Sequence, residues 1–580
     1  SYGIYIKNGI IKNYGTINVS GSGSVGIRNK DGKDEHGNPI TDASLSAIPV
    51  NATNGASGHI DESGVGPQPA VAGSTNISPT GVVTINGKVV PIHDLTPGPN
   101  PIVDKNYAFS NVGIYVDTLG RTNPINWVDG FNPSTDNDLI IGAEAAELST
   151  SKAIKIGRNI MSPYLREYQL VAATTRVNLN AISGALTWTA QQIPGASGLP
   201  EEVIMAKIPY TDFVAKEENA WNFADGLEQR YGVEPVGSRE KELFNKLNSI
   251  GKNEQVLLTQ AYDEMMGHQY ANTQQRVYTT GSILNTEFDY LRNEWRTASK
   301  DSNKIKTFGN KGEYKTDTAG VIDYKYNAYG VAYVHEDEDI KLGKGIGWYT
   351  GIVENTFKFK DIGNSKEKQL QAKVGLLKSV PFDDNNSLNW TISGDIFAGY
   401  NKMHRKFLVV NEIFNARSRY YTYGIGLKNE LAKEFRLSES FVLRPYGALR
   451  IEYGKISKIR EKSGEIKLEV KNTDYVSIKP ELGVQLGFKH FFGRRLFTTT
   501  LGVAYENELG RIANAKNKGR VADTTADWFN IRGDKEDRKG NVKTDLTFGL
   551  DNTRIGVTAN IGYDTKGENL RGGLGLRIIF

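Results

Sequence analysis

The residue types that could do chemistry are few in this 580-residue chain, and their spacing is uninformative. Residues 21–26 read Gly-Ser-Gly-Ser-Val-Gly, the G-x-G-x-x-G spacing of dinucleotide-binding turns. That motif works only at the start of a helix inside a βαβ unit, and no such unit surrounds it, so we interpret it as a turn. Residues 335–339 read His-Glu-Asp-Glu-Asp. They could attract a cation, but we interpret them as a solvated turn.

No catalytic constellation stands out. The chain has no cysteine, which excludes disulfides, thiolate metal sites and cysteine nucleophiles. No G-x-S-x-G elbow occurs, and the histidines lack metal-ligand spacing. They are His36, His59, His93, His268, His335, His404 and His490. We therefore predict no enzyme activity, no catalytic residues, no cofactor and no metal.

An Arg532-Gly533-Asp534 tripeptide falls in a long predicted loop. It could capture an integrin, but three common loop residues also meet by chance. We do not assign it a function.

Charge and hydropathy restrict the class of protein further. Lys and Arg number 70 against 66 Asp and Glu, so a phosphate-tracking surface for nucleic acid is not predicted. No run of 18 apolar residues occurs, which argues against a membrane-spanning helix. A transmembrane β-barrel remains open, because its strands place apolar residues only at every second position.

From about residue 303 to the end, the hydrophobic period is two. In residues 554–563 one face reads Ile, Val, Ala, Ile, Tyr, and the other reads Arg, Gly, Thr, Asn, Gly. A soluble sandwich would carry bulky charges on its polar face. Small residues with scattered charges suit a crowded lumen instead, and the smooth apolar face suits lipid. The predicted lumen-facing charges are Arg444, Arg450, Glu452, Glu481, Lys489, Arg554 and Arg577.

Twelve strands fit this segment, an even number as single-chain barrels require. The predicted strands are 303–312, 320–336, 343–360, 367–380, 387–401, 416–429, 440–456, 474–489, 495–507, 543–551, 553–564 and 571–580. Connections after strands 5, 7 and 9 are long, and those after even-numbered strands are mostly short. The fold class is therefore all-β, a twelve-stranded antiparallel transmembrane β-barrel, with its C-terminus in the periplasm.

A helical segment precedes the barrel, at residues 238–300. Ile283, Phe288, Leu291 and Trp295 recur at helical spacing near its end. Further upstream the pattern changes again. Gly-Ile repeats at residues 3–9, 26–32 and 113–117 predict stacked coils over 1–137, interrupted by a Pro/Gly-rich excursion at 33–105. Residues 138–237 would cap that stack. No signal peptide opens the chain, so we interpret it as a piece of a longer precursor.

Two motifs carry a family resemblance. Residues 260–271 (Gln-Ala-Tyr-Asp-Glu-Met-Met-Gly-His-Gln-Tyr-Ala) resemble the "ALDxLSGExxA" element of monomeric (type Va) autotransporters. The last residues resemble an outer-membrane insertion signal, with Gly575, Leu576, Ile578 and the terminal Phe580. The chain's composition also resembles the large fusobacterial adhesins of this class.

The resemblance implies a mechanism and a location. The barrel would lie in the bacterial outer membrane, with lipid and the barrel-assembly machinery as partners. A passenger, here the C-terminal end of a right-handed β-helix capped by an autochaperone-like segment at 138–237, would cross the lumen to the cell surface. A helix within Thr279–Ala298 would then plug the pore. Its residues would include Ile283, Asn285, Phe288, Asp289, Leu291, Arg292, Glu294 and Trp295.

The function implied is export and anchoring of a surface adhesin that binds a receptor on host or bacterial cells. The segment lacks the Asn-Asn pair at which one group of autotransporters cuts itself, so an attached passenger is expected. Two alternatives remain. The barrel could carry a secreted enzyme whose catalytic part lies N-terminal to residue 1, or it could be a plain porin. A porin does not account for residues 1–300.

Overall fold

The computed structural model divides into two compact units. The first comprises residues 1–265, 408–412 and 523–527, and the second comprises residues 266–407, 413–522 and 528–580. The structure describes residues 2–6, 11–13, 25–29, 52–54, 75–78, 81–95, 106–107, 113–120, 126–127, 137–172, 179–216, 218–293, 302–385, 387–513, 517–552 and 554–579.

Twelve long strands close into an antiparallel barrel, which makes up most of the second unit. They are β1 Ser302–Tyr314, β2 Tyr324–His335, β3 Gly347–Phe359, β4 Lys366–Pro381, β5 Leu388–Val409, β6 Glu412–Lys433, β7 Phe441–Ile456, β8 Thr473–Phe492, β9 Arg495–Glu506, β10 Asn541–Asp551, β11 Ile555–Asp564 and β12 Asn569–Ile579. The last strand pairs with the first, for example Lys304 with Arg577, and this pairing closes the barrel. The predicted twelve-stranded barrel is confirmed.

Side chains alternate between the two faces of the barrel wall. In β11, Ile555, Val557 and Ile561 point outward and are about half exposed, whereas Thr558 and Asn560 are buried on the inner face. A barrel with an apolar outer surface and a polar interior is typical of proteins that span a membrane with strands. Among the described residues, no helix combines the length and apolar character needed to cross a bilayer.

The connections at the two ends of the barrel differ in length. Those after β7 and β9, residues 457–472 and 507–540, are long and contain short strands that continue the sheet. These short strands are Ile459–Gly464, Leu468–Val470, Asn517–Val521 and Phe529–Ile531; a further short strand, Phe435–Arg436, follows β6. The connection after β5 is not the long one we predicted. Both strands continue to a tight turn at residues 410–411, where Val410 has a φ of 57°.

A single long helix, Thr273–Asn293, lies inside the barrel. We call it the pore helix. It begins six residues earlier than the predicted Thr279–Ala298, and residues 294–300 lie outside the described part of the chain. A 3₁₀ turn, His268–Tyr270, precedes it, and a short helix, Glu338–Lys341, follows β2.

The first unit contains parallel strand pairs. Ile4 pairs with Ile27, and Ile114 pairs with Leu139, which in turn pairs with Ala181. Most of the predicted excursion at 33–105 lies outside the described residues. The parallel pairs involve strands Tyr2–Ile6 with Val25–Asn29, Ile11–Asn13 with Ala52–Asn54, Asn106–Tyr107 with Asn126–Trp127, and Gly113–Val116 with Asn137–Ile141 and Leu179–Ser183.

The remainder of the first unit is a small mixed sheet, a β-meander and helices. The sheet runs Trp188–Pro194, Pro200–Lys207, Ala153–Ile156 and His93–Leu95, and the meander comprises Thr75–Ile77, Val83–Ile85 and Lys88–Val90. The helices are Arg158–Ala172, Asn219–Arg230, Arg239–Asn248 and Gln255–Met265, with 3₁₀ turns at Glu144–Leu148 and Tyr210–Phe213.

A buried ion cluster lies in the core of this unit. Glu228 accepts hydrogen bonds from the ammonium groups of Lys207, at 2.5 Å, and Lys152, and from the backbone N–H of Tyr210 at 3.1 Å. Burial lowers the pKa of Lys207 to about 8 against the opposing effect of Glu228. Burial alone would raise the pKa of Glu228, but the charges of Lys207 and Lys152 outweigh it and the pKa is lowered.

Candidate functional site

The pore helix is held inside the barrel by charged and polar side chains of the inner wall. Near its N-terminal end, the Arg276 guanidinium pairs with the Glu367 carboxylate of β4, and neither side chain is exposed. The Tyr420 hydroxyl of β6 donates to the same carboxylate, and so does the Gln369 side chain, at 3.1 Å. A buried charge is tolerated when a partner and further hydrogen bonds compensate it, as they do here.

The turn before the helix is also anchored. The Tyr270 hydroxyl donates to Glu461 at 2.9 Å, and Glu461 accepts a further hydrogen bond from Arg405 at 2.7 Å. Asn517, in the long connection after β9, donates to the backbone oxygen of Tyr270 at 2.6 Å and accepts from Gln274 at 2.7 Å. The long external connection therefore helps to fix the start of the helix.

One side of the helix packs closely against β3 and β4. Thr280 donates to the Gln369 side chain at 2.7 Å. A Cβ at Gly351 of β3 would lie 2.9 Å from Leu284 and 3.0 Å from Phe288. Glycine at this inward position therefore lets the helix approach the wall. The Phe288 and Tyr349 rings are 4.7 Å apart.

The middle of the helix contacts a cluster of four charges, three of them fully buried. Asn285 accepts a hydrogen bond from Lys373 at 2.6 Å and donates to Glu452 at 3.2 Å. Lys373 lies 3.1 Å from Glu452 and 3.4 Å from Asp395. Arg450 bridges the same two carboxylates, at 2.7 Å from Asp395 and 3.1 Å from Glu452. The charges of two cations and two anions thus balance each other beside the middle of the helix.

Further pairs fix the C-terminal half. Asp289 lies 2.8 Å from Lys428, which also contacts Glu430 at 3.1 Å. Glu287 lies 2.7 Å from Lys306 of β1, and Tyr290 accepts from Arg571 of β12 at 2.5 Å. The backbone oxygen of Leu291 accepts from Lys304 at 2.7 Å, so the first and last strands both hold the helix.

The structure therefore places most of the predicted pore-helix residues in the lumen. Ile283, Phe288 and Leu291 are buried, and Asn285 and Asp289 face charged wall residues. Arg292 is buried and interacts electrostatically with Glu430, Glu336 and Asp289. Glu294 and Trp295 lie outside the described residues.

The opposite side of the helix borders a polar cavity of about 190 Å³. Its helix side is formed by Gln275, Tyr278, Thr279, Ser282, Ile283 and Thr286. The facing wall includes Lys479, Glu506, Lys543, Asp564 and Arg571. A charged cavity of this size has room for several water molecules, so the helix does not fill the lumen completely.

Five of the seven predicted lumen charges contact an opposite charge inside the barrel. Besides Arg450 and Glu452, these are Arg444 with Glu430 at 2.5 Å, Glu481 with Lys543 at 2.7 Å, and Arg577 with Asp551 at 3.0 Å. The other two lie at the ends of strands. Lys489 is half-buried near the end of β8, and Arg554 is exposed in the turn before β11.

Sequence reasoning missed several inward charges. Glu367 and Lys373 alternate with outward residues in β4, but the outward positions 366 and 368 are lysines, so neither face looked apolar. Burial alternates along β4, but Glu367 and Lys373 can be assigned to the inner face only when it is known which face of the strand points into the lumen. Other missed inward charges include Lys304, Lys306, Asp395, Arg405, Lys428, Glu430, Glu461, Lys479, Glu506, Lys543, Asp551, Asp564 and Arg571.

The residues of the predicted insertion signal lie in β12, which closes the barrel against β1. Gly575 is buried on the inner face, Leu576 points outward, and Ile578 is half-buried. Phe580 lies outside the described residues.

The remaining motifs have local structural roles. The Asp534 carboxylate of the Arg-Gly-Asp tripeptide is buried and accepts from the hydroxyls of Thr318, at 2.5 Å, and Tyr314. Asp337 accepts from the Ile340 backbone N–H at 2.7 Å, within residues 335–339, where Glu336 is buried rather than solvated. Residues 21–24 are not among those described. Over the described ranges, no group of three or more histidine and carboxylate side chains could hold a metal.

Comparison with known proteins found one family match and several similar solved structures. Residues 304–562 match the family model described as "Autotransporter beta-domain". The translocator domain of the autotransporter NalP from Neisseria meningitidis is 14% identical, with a TM-score of 0.41, covering 54% of this chain and 99% of that one. The transport unit of AIDA-I from Escherichia coli is 11% identical, with a TM-score of 0.32, covering 55% and 99%. The β-domain of the Bordetella autotransporter BrkA is 11% identical, with a TM-score of 0.34, covering 48% and 100%. No curated relative matches the chain.

A closed twelve-stranded barrel with a helix in its lumen, together with the family match, defines the class. The barrel belongs to the autotransporter β-domain family and is a translocator domain of the bacterial outer membrane. One chain supplies all twelve strands, which fits the monomeric type Va autotransporters. The barrel is thus a transport domain in contact with membrane lipid.

Proposed function

We propose that the barrel exports the N-terminal part of the chain through its lumen and then anchors it at the cell surface, where it acts as an adhesin for host or bacterial cells. The observation that carries the proposal is the pore helix. It lies inside the barrel and follows residues 1–265 and precedes β1 in the sequence, which is the arrangement expected if the chain has passed through its own pore.

Features of the N-terminal unit support an extended passenger. Its described parallel pairs, such as Ile4 with Ile27, join strands about one solenoid coil apart, which suits a β-helix. Residues 138–237 would act as an autochaperone-like cap, residues 238–300 as linker and pore helix, and residues 301–580 as the barrel. The barrel-assembly machinery would recognise β12, with Gly575, Leu576 and Ile578, during insertion.

A display experiment tests this function. The chain, preceded by a signal peptide and an epitope tag before Ser1, would be produced in a Gram-negative host. We expect antibody to label intact cells, and labelled cells to adhere to host or bacterial cells more than cells displaying residues 266–580. Labelling without added adhesion would leave export standing and refute the adhesin role. No labelling of intact cells, despite a folded barrel, would refute export.

A further inference from the structure

A belt of cations lies on the outer surface of the barrel, at one end of strands β3 to β6. Its members point outward and are exposed. They are Lys358, Lys366, Lys368, Lys402, Arg417 and Arg419. We call this group the cationic belt.

The belt brings like charges directly opposite each other across neighbouring strands. Lys358 is paired with Lys366, and Lys368 with Lys402. Like charges at such positions destabilise a sheet unless something compensates them. Among the described side chains, Glu354 is the one acidic residue within 4.0 Å of a belt cation. Its carboxylate lies 3.9 Å from the Lys368 ammonium. Six cations with one carboxylate neighbour leave the belt strongly positive.

The belt begins where the apolar band of the barrel ends. Leu370 of β4 and Tyr421 of β6 point outward and are exposed, and the next outward positions toward the same end are Lys368 and Arg419. The rings of Tyr400 and Tyr421 are 5.5 Å apart on adjacent strands and mark this level. Tyrosine is enriched where hydrocarbon meets headgroups, so the belt lies at headgroup depth.

The belt occupies the end of the barrel that faces outside the cell. The long connections 457–472 and 507–540 are at this end, and long loops in outer-membrane barrels are extracellular. The belt therefore meets the headgroups of the outer leaflet. In the bacterial outer membrane these belong to a glycolipid, lipid A, that carries phosphate groups on a disaccharide.

We propose that the cationic belt is a binding site for the phosphate groups of this outer-leaflet glycolipid. Arginine and lysine are the side chains that suit phosphate, and polybasic clusters at a membrane surface attract anionic lipid. Five belt residues lie on β4, β5 and β6. Strands β5 and β6 continue past the apolar band to the turn at 410–411. A glycolipid on this side would seat its disaccharide against these strand extensions.

The test compares the folded full chain with two variants of equal charge change. The belt variant is K366Q/K368Q/K402Q/R417Q/R419Q. The control variant, K378Q/R436Q/R494Q/R495Q/R554Q, removes five exposed cations near the other end of the barrel. Heat-modifiable migration on a gel verifies that each barrel is folded. Native mass spectrometry then measures retained bisphosphorylated lipid A, dephosphorylated lipid A and phosphatidylglycerol.

We expect the wild-type chain and the control variant to retain bisphosphorylated lipid A. The belt variant should retain at least about tenfold less of it. Dephosphorylated lipid A and phosphatidylglycerol should be retained weakly by all three. Equal lipid A retention by the belt variant and the wild type would overturn the proposal. So would wild-type retention of dephosphorylated lipid A or phosphatidylglycerol equal to that of lipid A.

Discussion

The guanidinium of Arg276 and the carboxylate of Glu367 form an ion pair that is fully buried between the pore helix and β4. Because both groups have lost their water, each depends on the other for compensation. The pair therefore fixes the position of the helix along the barrel axis, and it gives the first prediction.

Replacing either Arg276 or Glu367 alone should weaken the attachment of the pore helix to the barrel wall. R276Q and E367Q each leave one buried charge without its partner, which costs about 3–5 kcal/mol. The double variant should lose less than the sum, because it buries no lone charge. The measurement is the temperature at which the unboiled gel band of the full chain converts to the unfolded position. K311Q, at an exposed outward position of β1, is the control. If the loss of stability in the double variant equalled the sum of the losses in the two single variants, Arg276 and Glu367 would not interact as described.

The cavity beside the helix predicts a difference in chemical access. Since the chain has no cysteine, single cysteines can be labelled without background. Thr286 borders the cavity, whereas Thr280 is fully buried against β4. A small water-soluble maleimide should modify T286C quickly and T280C at least tenfold more slowly in the folded barrel. Equal rates at the two positions would mean that the helix is not seated as described.

The close approach of the pore helix to β3 at Gly351 predicts that a larger residue there destabilises the folded chain. An added methyl group would meet Leu284, Phe288 and a backbone oxygen within about 3 Å. G351A should therefore destabilise the folded chain by about 1–3 kcal/mol, the usual cost of overpacking. G394A is the matched control, because its nearest neighbour would be 3.8 Å away. The measurement is again the conversion temperature on a gel, and equal effects of the two variants would contradict the packing.

The Glu228 cluster predicts an acid-sensitive first unit. The folded-state pKa of Glu228 is lowered, so its contribution to stability is present above about pH 4.5 and is lost as the pH falls through the folded-state value. Proteolysis of residues 138–265 in the full chain should accelerate between pH 5 and pH 3. E228Q should be less stable at neutral pH by about 3–5 kcal/mol, because it leaves the buried Lys207 ammonium without its carboxylate partner.

The same variant should respond to pH in a different range. Without the carboxylate, only the weaker effect of Asp212 opposes the effect of burial on Lys207, and its pKa of about 8 should fall further. E228Q should then regain stability as the pH rises from 6 to 9, because the lysine loses its charge. A wild-type pH profile for E228Q would show that the cluster is not buried as described.

The barrel could be predicted from the sequence because its outer face obeys one simple rule. Wherever a strand meets lipid, alternate residues must be apolar, as at Ile555, Val557 and Ile561. The rule fails where a strand leaves the membrane. In β5, Met403, Phe407 and Val409 remain buried inside, but the outward neighbours Lys402 and Lys406 are charged. The pattern therefore suggested a loop where the strand continues.

The pore helix was harder to delimit for a related physical reason. Its first turns contact a polar wall through Gln274, Arg276 and Thr280, so they need no apolar stripe. The partners of a helix inside a barrel also come from strands far away in sequence, such as Glu367 and Lys428. Spacing along one chain cannot reveal which inward residues share a level.

The most direct test of the central claim is protease protection in intact cells that produce the full chain with a signal peptide. If the barrel exports its own N-terminal part, external protease should remove most of residues 1–265 and leave a protected fragment that begins near the pore helix and retains β1 to β12. Residues 1–265 that stay intact until the outer membrane is opened, in cells whose barrel is folded, would contradict the account.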